Sequence, residues 1–125
     1  DMAKGGVQVQ VLSPFLGFLS QGLDVARPHN DAMAAAVQAR PESFLGLAAV
    51  PLAEPEAAPA EIERAINELG LHGVEIGTNV LGNNLDDPAL LPVFEKVAEL
   101  GVPMFIHPVA PQLGLDRLPN CVILF

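Results

Sequence analysis

The chain has 125 residues, the length of one domain, and 15 acidic against 6 basic residues give it a formal charge of −9. Its cations, Lys4, Arg27, Arg40, Arg64, Lys96 and Arg117, are scattered and form no basic patch, which argues against a nucleic-acid partner. Half of the residues are hydrophobic, yet Gly, Pro or a charge interrupts every apolar run short of the ~18 residues a membrane span needs, so the chain reads as soluble.

Val7, Val9 and Val11 alternate with Gln8 and Gln10 ahead of Ser13-Pro14, a period-two pattern that predicts a strand over 7–12. After a loop bearing Gly and Phe, the Ala-rich stretch from Pro28 to Arg40 predicts a helix over about 31–39, with Asn30 as N-cap and Met33, Ala36 and Val37 on one face. Phe44 to Val50, set between Pro41-Glu42-Ser43 and Pro51, predicts a buried strand over 44–50. Between Pro55 and Gly70, Ile62, Ala65, Ile66 and Leu69 recur at helical spacing while Glu61, Glu63, Arg64 and Glu68 take the other face. Gly70 stands where a left-handed cap belongs, and Gly73 to Gly77 then predicts a third strand ending at Thr78-Asn79. Asp86-Asp87-Pro88 opens a third helix, with Asp87 as N-cap and Leu90, Phe94, Val97 and Ala98 as its inward stripe up to Gly101. Pro103 to Ile106 completes the series as a fourth strand.

Strands and helices that alternate with short connections build a parallel sheet through right-handed crossovers. Half of a (β/α)8 barrel and a small doubly wound sheet both fit that order. No Gly-rich phosphate loop follows any strand, which removes the strongest sign of a nucleotide-binding sheet. The expected fold is therefore α/β, a partial (β/α)8 barrel of about four β/α units that occupies 1–125 as a single partial domain; a closed barrel typically takes about 250 residues. A start at Asp1 rather than Met, and an abrupt apolar end at Cys121-Val122-Ile123-Leu124-Phe125, agree with a segment of a longer protein.

In parallel α/β folds the ligand lies beyond the carboxyl ends of the strands, which singles out Ser13, Pro51, Thr78, Asn79 and His107. His107 closes the run Met104-Phe105-Ile106-His107-Pro108, where an imidazole could ligate a metal, move a proton, or simply bond a strand-end carbonyl; position alone leaves these open. His72 precedes its strand and belongs to the opposite, stabilising end. His29, beside Asn30 in the loop after the first strand, reads as a capping or solvent-facing residue, and Asp86-Asp87 as a helix start rather than an acid–base pair. Glu75 either turns to the helix layer with a partner or points into the barrel, where an unpaired carboxylate is costly. Cys121, the only cysteine, can form no disulfide within the chain, and nothing marks it as a nucleophile; with no leader-like opening this points to a reducing, cytoplasmic setting.

The stretches VQVQVLSP (7–14), FLGLAAVPL (44–52), ELGLHGVEIGTN (68–79) and MFIHP (104–108) together resemble consecutive strand regions of the amidohydrolase-related metal-dependent hydrolases, nearest to the aminocarboxymuconate-semialdehyde decarboxylase branch. The resemblance spans about residues 1–118 and stops at Pro119–Phe125. It implies a (β/α)8 barrel with a single divalent metal, usually zinc, at its mouth. The family holds that metal by an H-x-H or E-x-H pair on the first strand, a His on the fifth and an Asp on the eighth, with an acid–base His on the sixth. Only one of these transfers: the His of the F-I-H-P strand matches His107 as a metal ligand, and the others would lie upstream of Asp1 and downstream of Phe125.

What the resemblance implies for the intact protein is a decarboxylase or hydrolase acting on a small, aromatic-derived carboxylate, with a small molecule and copies of itself as partners. A catalytic zinc needs about three protein ligands, so the 125 residues alone are expected to be inactive. Two other readings stand beside it. One is a non-catalytic half-barrel that buries its open edges against a second copy as an oligomerising module. The other is a metal-free barrel enzyme in which His107 acts only as acid or base.

Overall fold

A computed structural model describes residue 2 and residues 4–109; Cys121 and the tail Pro119–Phe125 lie outside the described residues. The elements are β1 (Gln10–Leu12), α1 (Leu23–Ala39), β2 (Phe44–Ala49), α2 (Ala58–Asn67), β3 (Gly73–Gly77), β4 (Asn79–Val80), β5 (Asn83–Asn84), α3 (Leu91–Leu100) and β6 (Met104–His107). The main sheet is parallel with order β1-β2-β3-β6. Each new strand joins beside the previous one and the order never reverses, as a barrel wall requires and a doubly wound sheet does not. The structure is thus an α/β half-barrel. Among the described residues no helix is long and apolar enough to cross a membrane.

The first strand is shorter than the 7–12 expected. The ladder opens where Gln10 N–H donates to Ser43 O at 2.9 Å, so Val7 and Val9 have no strand opposite them and stay exposed. Helix α1 is longer than expected and begins at Leu23. Pro28 looks like a boundary in the sequence but sits in the second turn, where its missing N–H costs one helical bond. Glu54 Oε1 accepts the Leu23 N–H at 3.1 Å and caps the new start. Asn30 is accordingly no N-cap but a buried residue inside the helix, on a face made by Ala26, Met33, Ala34 and Val37 rather than by Ala36.

Helix α3 ends as predicted, with Gly101 as a left-handed cap at φ 65°; Gly70 is left-handed too, at φ 72°, but α2 has already ended at Asn67 with Glu68 as its right-handed C-cap. On α2, Glu61 is buried with Ile62 and Ala65 instead of lying on the outer face. Asp87 Oδ1 accepts the Ala89 N–H at 2.9 Å, as its N-cap role predicts, although the first turn after it is 3-10; Val93 fills the inward stripe and Ala98 is exposed. Strands β4 and β5 form a small hairpin that the sequence did not announce. Its turn, Leu81-Gly82, has φ of 48° and 91°, a primed geometry usually signalled by Asn-Gly.

One core lies between the helices and one face of the sheet. Gly46 shows the fit: a Cβ there would come within 2.9 Å of both Val37 Cγ2 and Leu71 Cδ2. Ala48, Val50, Val74 and Ile76 of the sheet meet Met33, Val37, Ile62, Val93 and Val97 of the helices. Burial of each such aliphatic side chain contributes about 2 kcal/mol.

Candidate functional site

Paired residues in a parallel sheet point to the same face. Gly46 faces the helices, so the alternate set faces away from them, into the concavity. By register that set runs Val11, Leu45, Leu47, Ala49, Glu75, Phe105 and His107, since Ala49 pairs with Glu75, Glu75 with Phe105 and Gly77 with His107. Residues of both edge strands border one depression of about 440 Å³, lined by Val11, Ser13, Leu47, Pro103, Met104 and Phe105. The sheet therefore curls far enough for β1 and β6 to flank a common space, within the size range of small-ligand sites.

His107 is the last residue of β6, two residues beyond the Phe105 that lines that space, and is half-buried. Its Nδ1 lies 2.8 Å from Pro108 O, and a carbonyl only accepts, so Nδ1 carries the proton and Nε2 keeps its lone pair. Thr78 holds the segment in place. Its N–H donates to His107 O at 3.1 Å, and its hydroxyl oxygen accepts the Val109 N–H at 3.1 Å. The ring of Phe105 stands edge-on to the imidazole with centroids 5.9 Å apart. The sequence placed His107 and Thr78 at the strand ends; that one clasps the backbone around the other had no signal in it.

Glu75 lies on the same face, two residues below the pairing partner of His107. It points into the barrel, which closes the choice left open by the sequence. Its side chain is 0% exposed and neither carboxylate oxygen has a hydrogen-bond partner among the described residues. Burial pushes its pKa up; the hydroxyl of Ser13 and, when its ring is protonated, the charge of His107 pull it part of the way back.

A second buried polar group braces the site from behind. The backbone of Ala49 points toward β1, as that of Ser43 does, but β1 has already ended at Leu12, opposite Gly46. Asn30 fills the vacant place: its Nδ2 donates to Ala49 O at 3.0 Å, and the Ala49 N–H donates to its Oδ1 at 2.8 Å. Nδ2 also donates to Glu61 Oε1 at 2.9 Å, and Arg64 closes on Glu61 with two bonds of 2.8 Å while reaching Asp31 at 2.7 Å. These carboxylates, Glu61 first, raise the pKa of the Arg64 guanidinium and keep it charged.

The other histidines take no part. His72 sits at the amino end of β3, where its Nδ1 accepts the Gly46 N–H at 3.4 Å, in keeping with a structural role. His29 belongs to α1, not to a loop, and its ring lies 4.7 Å from that of Phe18; burial lowers its pKa. Among the described residues no group of three His, Cys, Asp or Glu side chains could hold a metal.

The family signature described as Amidohydrolase matches residues 20–121. The chain belongs to the amidohydrolase family. This amidohydrolase chain is 41% identical over 126 residues to the 2-amino-3-carboxymuconate-6-semialdehyde decarboxylase of Dictyostelium discoideum, a match covering 96% of this chain and 35% of that protein. It superposes on the crystal structure of 5-carboxyvanillate decarboxylase from Sphingomonas paucimobilis with a TM-score of 0.82 and 35% identity, over 95% of this chain and 37% of the other. The corresponding enzyme of Novosphingobium aromaticivorans, solved with bound manganese and 3-methoxy-4-hydroxy-5-nitrobenzoic acid, gives a TM-score of 0.85 at 28% identity, covering 95% and 36%. The amidohydrolase chain spans about a third of the length of the curated relatives it matches.

Proposed function

We propose that these residues form part of a divalent-metal-dependent decarboxylase that removes CO2 from a small, aromatic-derived carboxylate, with His107 as one metal ligand. The observation that carries the proposal is His107 itself: strand-end position, clasped backbone, and a tautomer that leaves Nε2 free to ligate. The buried carboxylate of Glu75 on the same face suits a cation nearby. Only His107 is offered as a ligand by the described residues, so the remaining ligands are proposed to come from sequence flanking this segment. The bound manganese of the Novosphingobium relative supports a divalent ion, with zinc and manganese as the two candidates.

When bound, the ion polarises a substrate oxygen and lowers the pKa of coordinated water. The rest falls to the chain. His107 Nε2 would hold the ion, and the Nδ1–H bond to Pro108 O fixes the ring plane. Val11, Leu47 and Phe105 accept an aromatic ring and strip water from its carboxylate, which favours the departure of neutral CO2 over retention of the charge. The carbon that loses the carboxylate takes up a proton, for which no described residue is assigned.

The test is the full-length protein assayed for CO2 release from a panel of aromatic and diene carboxylates, with Zn2+ or Mn2+ supplied. Metal-dependent turnover in the wild type and its loss in His107→Ala are the expected results; retained metal and turnover in His107→Ala would sink the assignment. The isolated 125 residues are expected to be inactive. The half-barrel assembly reading rests on β6, whose Phe105 and Ile106 are 49% and 45% exposed on opposite faces. If full-length protein shows no turnover with any metal while the segment dimerises, that reading replaces the enzymatic one.

A further inference from the structure

Strand β3 is the most enclosed in the sheet, with all five residues buried. Four of them are Gly, Val, Ile and Gly; the fifth is Glu75. Register sets its side chain on the concave face with His107, and both oxygens are sealed from solvent without a hydrogen bond among the described residues. A buried carboxylate left in this state works against folding; a Met or Leu of similar volume would remove the cost, and a Gln the part of it due to charge. The molecule handles its other buried glutamate, Glu61, with an amide and two guanidinium bonds. The groups that Glu75 senses are the Ser13 hydroxyl from β1 and the His107 ring from β6; the paired residue of β2 is Ala49 and contributes no charge.

We propose that Glu75 is a positioning residue for the metal centre: its carboxylate, one strand over from His107 and one step below it, supplies the fixed negative charge that strengthens divalent-cation binding at the His107 imidazole. This rests on the metal-site reading of His107. Charge attraction across a dry protein interior acts over several ångströms, so direct ligation is not required. The burial of both Glu75 oxygens also limits screening by water.

Calorimetric titration of Mn2+ into metal-stripped full-length protein tests the proposal. Glu75→Gln is expected to weaken Mn2+ binding by about 10- to 100-fold, the range typical of groups just outside the ligand sphere. Glu75→Asp, which keeps the charge, should recover part of the loss, and the melting temperature of stripped Glu75→Gln should not fall. Unchanged Mn2+ affinity in Glu75→Gln, alongside lost binding in His107→Ala, would overturn the role of Glu75 and leave the metal reading standing. A lowered melting temperature with unchanged affinity would likewise overturn it, as a structural carboxylate. Mn2+ held as tightly by His107→Ala as by the wild type would overturn the metal reading, and the role of Glu75 with it.

Discussion

Glu61 and Glu75 are both glutamates with almost no solvent contact, 3% and 0% exposed, yet they sit on opposite faces of the same sheet in opposite circumstances. Glu61, in the helix layer, is met by Asn30 and Arg64 and has Arg27 at 3.9 Å. Glu75, in the concavity, has no amide or guanidinium bonded to it among the described residues; the Ser13 hydroxyl and the His107 ring are the polar groups that influence it. The face against the helices is finished as a folding unit; the face toward the barrel axis keeps a charge that folding alone would discard. Where a fold leaves a charge uncompensated, the compensation is to be sought in a ligand or in chain not yet accounted for.

The comparison can be broken most forcefully from the satisfied side. Arg64→Ala leaves Glu61 buried with the Asn30 amide and, as its only cation among the described residues, the more distant Arg27, and urea unfolding should show a loss of about 3 kcal/mol. Asn30→Ala strips the Ala49 N–H and C=O of their partner and should cost about 2 kcal/mol in the same measurement. A loss under about 0.5 kcal/mol in both would mean that the network is ornamental. Glu75→Gln should go the other way, gaining about 1 kcal/mol at pH 7 in the presence of a chelator. The sign follows from its raised pKa: the folded state favours the protonated form, so stability is greatest below pH 4.5 and is lost as pH rises through the folded value. Glu75→Gln should flatten that limb of the stability–pH curve. Finally, His29 has a lowered pKa, so the folded state resists its protonation and stability falls as pH drops below 6.5 through the folded value. His29→Phe should remove that slope and do little at pH 8.

Legibility followed the same division. Alternation, helical spacing and punctuation at Gly70, Asp87-Pro88 and Gly101 were enough to order the strands and helices, because the helix-facing core is built from local periodicity. Pro28 misled, since a proline in a second turn costs one hydrogen bond and not the helix. Asn30 was read as an N-cap and Glu61 as a residue of the outer face; their burial depends on each other, and no single helix pattern reports a partner on another element. His107 could be placed at a strand end by pattern, but a ligand role came only through likeness to a family. Glu75 carried the one clue that the sequence offered, a charge in an otherwise apolar strand, without saying which face it would take.

The substitution of a side-chain amide for a strand at Ala49 also bears on how such a scaffold diversifies. Because Asn30 completes the hydrogen bonding of β2 beyond Leu12, the segment from Ser13 to Gly22 owes nothing to the sheet's ladder. It can lengthen, shorten or change its residues without unpairing the strand beside it. The pairing of β2 is thereby uncoupled from that segment; Leu19 within it is fully buried and Ser13 acts on Glu75, so selection for a new ligand acts most freely on its exposed positions, Phe15 among them.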